Sequence, residues 1–493
     1  MNRRETLTGI AGLALGSRLR GAGGEPPHGA AGERVGEVTA TSAIVHARLT
    51  AAPTRNNRGY SFPVHTHNLS TMNQLRLLRM PDKMPLSELE GACAGKAGRA
   101  RLRYGVDPKL AGAAVTPWVE VGPKTDFTHQ FALKGLQPGA AYYYSLETSL
   151  AAGGDARQGA PGSFKTAPER NDWRPVRFFV LSCQDYGCRD DIDGFRAYRS
   201  MNRLGADFTA SVGDNVYYDL DLPFATTVDI ARFHWQRMYS QPLVMDLFRN
   251  MSGYWLKDDH DSFEDDDWPA RPPQRVAPMT YKDLSPVFTE QIPMGESTYR
   301  RVRWGKGLEI WFTESRDFRS PNPAPDGPSK TIWGAKQKQW LERTLLESDA
   351  DFRVLISPNC IVGPDPSHGT VFKYPGGGAD SHGDNGFGYE GREFRKWVHD
   401  KKLTNFITIN GDRHWQYHSV DPETGVREFS CGAVTDSHSV KSEKYDAKYH
   451  RFLRTKGGFI SVSLDGARQD PRLTVRFHDV EGKTVFETQI ERT

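Results

Sequence analysis

Five polar clusters, all after position 180, carry residue types that bind hard cations, and each lies near the end of an apolar run or within an acidic loop. Ser182-Cys183-Gln184-Asp185 follows a run ending at Leu181, and Gly213-Asp214-Asn215-Val216-Tyr217 follows one ending at Val212. Asp258-Asp259-His260-Asp261 precedes Asp265-Asp266-Asp267. Glu314-Ser315-Arg316-Asp317-Phe318-Arg319 comes after Phe312, and Gly411-Asp412-Arg413-His414 after Ile409. A Gly-Asp pair alone reads as a strand-ending turn. Strand–Gly-Asp, then Asp-His, then strand–Gly-Asp-x-His is the skeleton of a two-metal phosphoesterase. Each loop supplies one or two hard ligands, and a carboxylate bridges two cations. Cations about 4 Å apart clamp both the attacking and the leaving oxygen of a phosphoryl transfer. Carboxylate and imidazole suit divalent metals and iron.

Other groups in these clusters have more than one reading. Arg316 offers a planar fork for phosphate oxygens, or makes a salt bridge. His260 acts near the leaving oxygen, ligates, or braces the carboxylates. Asp258 is suited to cap a helix, so Asp259 is the better ligand candidate of the two.

These loops need a scaffold that brings distant segments together. Val176–Leu181 and Ala206–Val212 read as buried strands, with helical spacing between them from Asp193 to Leu204. The rhythm recurs at Leu308–Phe312, Lys336–Leu346, Phe352–Ser357, Arg392–Lys401 and Asn405–Ile409. Alternating strands and helices imply an α/β layered domain, with ligand sites at the carboxyl ends of its strands. Gly458–Leu464 and Leu473–Arg492 return to alternation and are expected as edge strands. Before this domain, residues 35–168 read as β. Strand Phe127–Leu133, the turn Leu136-Gln137-Pro138-Gly139 and strand Ala141–Leu146 have the pattern of an immunoglobulin- or fibronectin-like sandwich. Residues 54–100 form an irregular, basic insertion. The expected division is 1–34 leader and linker, 35–168 β-sandwich, and 175–493 catalytic domain, with a hinge at Pro168–Pro175.

The chain has 493 residues and 64 Lys plus Arg against 61 acids, a balance that argues against a dedicated nucleic-acid binder. No apolar run reaches 18 residues, so no membrane span is expected. Arg3-Arg4 before the short apolar stretch Leu7–Leu15 resembles a twin-arginine export signal; a surface helix is the alternative. Export by that machinery implies a periplasmic or extracellular location. Five cysteines, an odd number, leave at least one thiol outside any disulfide.

From Phe179 onward the chain resembles PhoD-like phosphatases (alkaline phosphatase D). The matching strings are Ser182-Cys183-Gln184, Gly213-Asp214-Asn215-Val216-Tyr217, Asp258-Asp259-His260-Asp261, Ser315-Arg316-Asp317-Phe318-Arg319, Gly334-x-x-Gln337-x-x-Trp340-Leu341, Gly411-Asp412-Arg413-His414 and Glu428-Phe429. The resemblance implies a metallophosphoesterase-like sandwich of mixed sheets flanked by helices, loaded with ferric iron and calcium. It implies Cys183 as a thiolate ligand and Tyr217 as a phenolate ligand of iron. Asp214 would bridge metals, Asp259 would ligate, Asp265 would bind calcium, and Asp412 and His414 would complete the site. Thiolate and phenolate stabilise Fe(III), and an all-oxygen pocket suits calcium. Otherwise Cys183 is a buried thiol or a partner of Cys188, and Tyr217 a packing residue. Three positions depart from the family pattern: Lys257 for Asp or Trp, Asp265 for Asn, and Glu314 for Asp. The expected activity is hydrolysis of phosphomonoesters or phosphodiesters. An exported glycan- or polymer-binding protein, or a pseudo-enzyme that keeps its metals, is the alternative.

Overall fold

The computed structural model describes residues 24–63, 84–151, 154–365, 380–383, 386–439 and 444–492. Arg3-Arg4 with its apolar stretch lies outside them.

The apolar runs form strands because both of their faces find cover. Along Val176–Leu181, Phe178 and Val180 point inward to a core shared with Ile310, Phe312, Val354 and Ile409, while Phe179 and Leu181 point outward under helices. Such a strand has no polar face to show, so its sequence reads as continuous rather than alternating. Two sheets pack across this core. The first has nine strands, in the order Thr484–Glu491, Asp470–His478, Phe459–Ala467, Val176–Leu181, Phe208–Val212, Ser252–Leu256, Arg34–Gly36, Ser42–Arg48, Thr128–Lys134. The second has seven: Arg300–Trp304, Leu308–Phe312, Phe352–Ser357, Phe406–Asn410, Arg427–Cys431, Gln416–Val420, His450–Arg454. Parallel pairing is confined to the middle of each sheet. Helices Arg196–Leu204, Val228–Tyr239, Pro242–Asn250 and Tyr281–Gln291 cover the outer face of the first sheet through Tyr198, Trp235, Leu247 and Phe288. Gly334–Glu347 and Gly388–Asp400 cover the second through Leu341, Leu345 and Phe394. The fold is therefore layered, with mixed sheets inside and helices outside.

The C-terminal strands differ from the expected edges in one respect. Thr484–Glu491 is an edge, but Phe459–Ala467 pairs antiparallel with Val176–Leu181 near the middle of the sheet. The N-terminal β region also joins the catalytic sheet. Arg34–Gly36 pairs in parallel with Ser252–Leu256 at Gly36 and Gly253. A six-stranded sheet built on Gly98–Gly105 and Ala141–Ser149 packs over Ser42–Arg48, burying Leu102, Tyr144 and Leu146 against Val45 and Ala47. The N-terminal strands thus form a β-sandwich one layer of which is continuous with the catalytic domain.

Candidate metal centre

The site forms where strand ends of the two sheets meet. Cys183 and Asp214 follow adjacent parallel strands of the first sheet, and Asp259 and His260 follow the next one. Asp412 and His414 follow Phe406–Asn410 of the second sheet. The two glycines of the Gly-Asp pairs make this approach possible. A Cβ on Gly213 would lie 2.5 Å from Asp258 Cβ, and one on Gly411 would run into Ser182 Oγ and Val212 O of the opposite sheet.

The backbone is held in an unfavoured region here. Among the described residues, ten non-glycine residues have left-handed φ, and five of them are Cys183, Asp214, Asp266, Asp412 and His414, at φ 52–62°. Each such residue costs about 1–3 kcal/mol, and such strain concentrates at functional sites. Cys183, Asp214 and Asp412 take this conformation within a few residues of their strand ends.

Three triads of donor atoms result, each with its members within 4.8 Å of one another: Cys183–Asp214–His414, Asp214–Asp259–His260 and Asp259–Asp265–Asp266. Asp214 belongs to two of them, and Asp259 to two. Tyr217 joins through its hydroxyl, 3.0 Å from Asp214 Oδ2, and Cys183 Sγ lies 3.4 Å from the same oxygen. Asp412 stands outside the triads and is half-buried, but its charge acts on Asp214.

Electrostatics shows what this cluster lacks. Burial, followed by the neighbouring Asp259, pushes the Asp214 carboxyl well above the usual range. Burial and then Asp214 push up both the Cys183 thiol and the Tyr217 phenol. Burial raises Asp412 to about 6. Asp259 is the exception: burial opposes its ionisation, but Arg316 and His260 outweigh it and hold the group below the usual range. Asp214 Oδ1, Asp259 Oδ1 and Asp412 Oδ2 are buried without a hydrogen-bond partner among the described residues. Buried acceptors of this kind are costly unless cations or donors meet them. Cations fit the site: they would satisfy the orphan oxygens and reverse the upward shifts on thiol and phenol. The donor set also sorts by hardness, with thiolate, phenolate and imidazole around one end of Asp214, and a mainly carboxylate group of Asp259, Asp265 and Asp266 with the His260 ring at its edge.

Arg316 is placed otherwise than the phosphate-fork reading has it. Its guanidinium is fully buried. Nε and Nη2 meet Asp258 Oδ1 at 2.5 Å, Nη1 and Nη2 fork onto Asp380 at 3.0 and 2.8 Å, and Nη1 reaches Asp267 O at 3.3 Å. All five N–H groups have protein acceptors, so this arginine neutralises and positions the acidic loop rather than gripping substrate. Asp258 is correspondingly its counter-ion, not a helix cap.

His260 points its two nitrogens apart. Nδ1 lies 2.7 Å from Asp219 Oδ1, and Nε2 lies 3.6 Å from Asp265 Oδ1. Burial works against its protonation, but Asp219 and then Asp259 raise its pKa well above the ordinary value. Cys183 and Cys188 are both free thiols, so the pairing alternative does not hold. Phe387 is buried under the Arg319 guanidinium and the Lys330 ammonium.

Three participants escaped the sequence reading. Asp219 orients His260, and Asp380 holds Arg316. His438 sits 3.0 Å from Cys183 O and 3.4 Å from Tyr217 Oη, with its ring 4.0 Å from that of His414. Asp219 had a usable signal, two residues beyond Tyr217 in the same loop. The others stand in segments with no motif around them.

Residues 178–458, more than half of the chain, match the family model described as PhoD-like phosphatase. Among solved structures the fold is similar to that titled "Structure of PhoD", with TM-score 0.70, 16% identity, and coverage of 94% of this chain and 90% of that one. It is also similar to purple acid phosphatase PPD1 from yellow lupin (Lupinus luteus) seeds, with TM-score 0.58, 12% identity, and coverage of 93% and 74%. At these identities the structural likeness is one of fold. No curated protein matches by sequence.

Proposed function

The chain belongs to the PhoD-like phosphatase family, and on that premise we propose that it is an exported phosphoesterase using ferric iron and calcium to hydrolyse phosphomonoesters and phosphodiesters. One observation carries this reading: Asp214 shares its carboxylate between two donor triads of different hardness. Cys183, Tyr217 and His414 would hold iron with Asp214, and Asp259, Asp265, Asp266 and Asp412 would hold calcium. When bound, such cations supply Lewis acidity, drawing charge from phosphoryl oxygens and acidifying water.

The chain's own residues do the rest. Asp219 holds the His260 ring through Nδ1, which leaves Nε2 on the side of Asp265 in the acidic cluster, where it is placed to give a proton to a leaving oxygen. Arg316 keeps Asp259 ionised and Asp258 fixed, so the ligand loop does not rearrange as charge develops. Arg3-Arg4 and the apolar stretch after it support delivery to the periplasm or beyond.

Turnover of p-nitrophenyl phosphate and its bis-ester, paired with elemental analysis of the same preparation, tests the reading. The expected result is metal-dependent release from at least one ester. Bound metal with no turnover of either ester would overturn it. A reporter fused behind residues 1–34 that stays in the cytoplasm would remove the export part alone.

A further inference from the structure

Lys257 is a buried cation, 4% exposed, that the hydrolytic reading leaves without a role. Its Nζ donates to Asp317 Oδ1 at 2.5 Å and to Ser285 Oγ at 2.8 Å, and lies 3.9 Å from Glu314 Oε1. Asp317 Oδ1 also accepts from the Tyr281 hydroxyl at 2.6 Å. One residue along each segment the charges reverse, where Asp258 meets Arg316 at 2.5 Å. Lys257 and Asp258 leave Ser252–Leu256 of the first sheet, and Arg316 and Asp317 leave Leu308–Phe312 of the second. Two ion pairs of opposite polarity therefore stand in consecutive register across the gap between the sheets.

Glu314 fixes the shape of the second segment. Its carboxylate accepts the backbone N–H of Arg316 at 2.8 Å and of Asp317 at 2.9 and 3.0 Å, and its own N–H donates to Gln337 Oε1 at 2.7 Å. The unusual residues Lys257 and Glu314 thus meet in one buried cluster. A slip of one residue in one direction would bring Lys257 against Arg316, and in the other Asp258 against Asp317, a like-charge pair either way. Only one register is compatible with burial.

We propose that Lys257–Asp317 is a positioning clamp: with Arg316–Asp258 beside it, the pair sets the spacing between first-sheet ligands Asp214 and Asp259 and second-sheet ligands Asp412 and His414. Core side chains fix the distance between packed sheets only in their interior. At the strand ends, where the ligands lie, the clamp does so. A buried ion pair is weak support for stability, since an apolar pair often replaces it without loss; its better-attested use is to specify register. The clamp predicts that same separation of roles here. Its activity arm rests on the phosphoesterase reading, and its metal arm does not.

The test compares the parent with Lys257→Met/Asp317→Leu and with Asp317→Asn. Metal per chain is measured by elemental analysis after a fixed exposure to EDTA, alongside Tm and the kinetics on p-nitrophenyl phosphate. The double variant is expected to keep a parental Tm while kcat falls about tenfold or more and KM stays near its parental value, the range seen when groups behind metal ligands are removed. Metal is expected to be lost faster in the same variant, and Asp317→Asn should fall between. Parental metal retention and kcat in the double variant would overturn the clamp. If the double variant does not fold, the same parental values in Asp317→Asn decide against it. Faster metal loss in variants of a parent that hydrolyses no ester would sustain the clamp and defeat the phosphoesterase reading.

Discussion

The two sheets contribute unequally to the centre they share. Loops of the first bring Cys183, Asp214, Tyr217, Asp259 and His260, and their acids crowd one another until Asp214 resists ionisation. The second brings Asp412 and His414, with Arg413 between them tied to Asp365 at 2.5 Å. One half is rich in ligands and poor in countercharge, and the other is the reverse. Countercharge for the first half is borrowed across the gap: Arg316 leaves the second sheet and serves Asp258, Asp259 and Asp267. The ligand-rich side depends on the ligand-poor side to keep Asp259 ionised and its acids close.

Asp214→Ala breaks this comparison most severely, because two triads lose their common member. Turnover is expected to fall by roughly 10³-fold, at the upper end for removing one group that meets the transition state. Elemental analysis should show metal lost together with activity. Full activity in this variant would remove Asp214 from the site. Arg316→Met comes second. It strands Asp258 as a buried, unneutralised carboxylate and leaves Asp380 to Arg319. The expected cost is about 3–5 kcal/mol of stability, read from the denaturant midpoint. A surface arginine would show almost none, so a parental midpoint would refute the positioning role.

Much of both halves was legible in the sequence. Gly213-Asp214 and Gly411-Asp412 stand directly after apolar runs, and the structure places both at strand ends facing one centre. The motif order pointed to the candidate donors because each turn after its strand is local. What stayed hidden is whatever one segment does for another. Nothing near Arg316 shows that Asp380, 64 residues on, occupies its fork. Nothing in Arg34–Gly36 shows that it pairs in parallel with Ser252–Leu256, a contact set by the packing of Gly36 and Gly253. His438 lies in an unremarkable Asp-Ser-His-Ser stretch and gains its place only when that segment folds back over Cys183 and Tyr217.

The second half is sharpened by a milder change. In Asp365→Asn the Arg413 guanidinium keeps a neutral acceptor but loses its countercharge. Outer partners of metal ligands are worth about 10–100-fold in affinity or activity, and the lower end is expected here because Arg413 is not itself a ligand. The signature is metal bound less tightly in a chelator titration, with the fold intact. An unchanged titration would mean that Asp412 and His414 hold their positions without Arg413.

The smallest effect on turnover belongs to His418, which lies on the second sheet but outside the centre. It is 5% exposed, its ring stacks on Phe429 at 4.4 Å, and neither ring nitrogen has a hydrogen-bond partner among the described residues. Burial, with Arg427 and Arg451 adding to it, lowers its pKa to about 3. In the unfolded chain the ordinary value near 6.5 applies, so below that pH the unfolded state takes up a proton that the folded state refuses. Stability is therefore complete above about pH 6.5 and declines as pH falls toward 3, by about 2–3 kcal/mol at pH 4.5 from this one group. His418→Leu removes the titration and leaves the ligands untouched. Its kcat should equal the parent's, and its urea midpoint should fall less between pH 7 and 4.5. An equal fall in both proteins would show that the acid sensitivity of the second sheet arises at other groups.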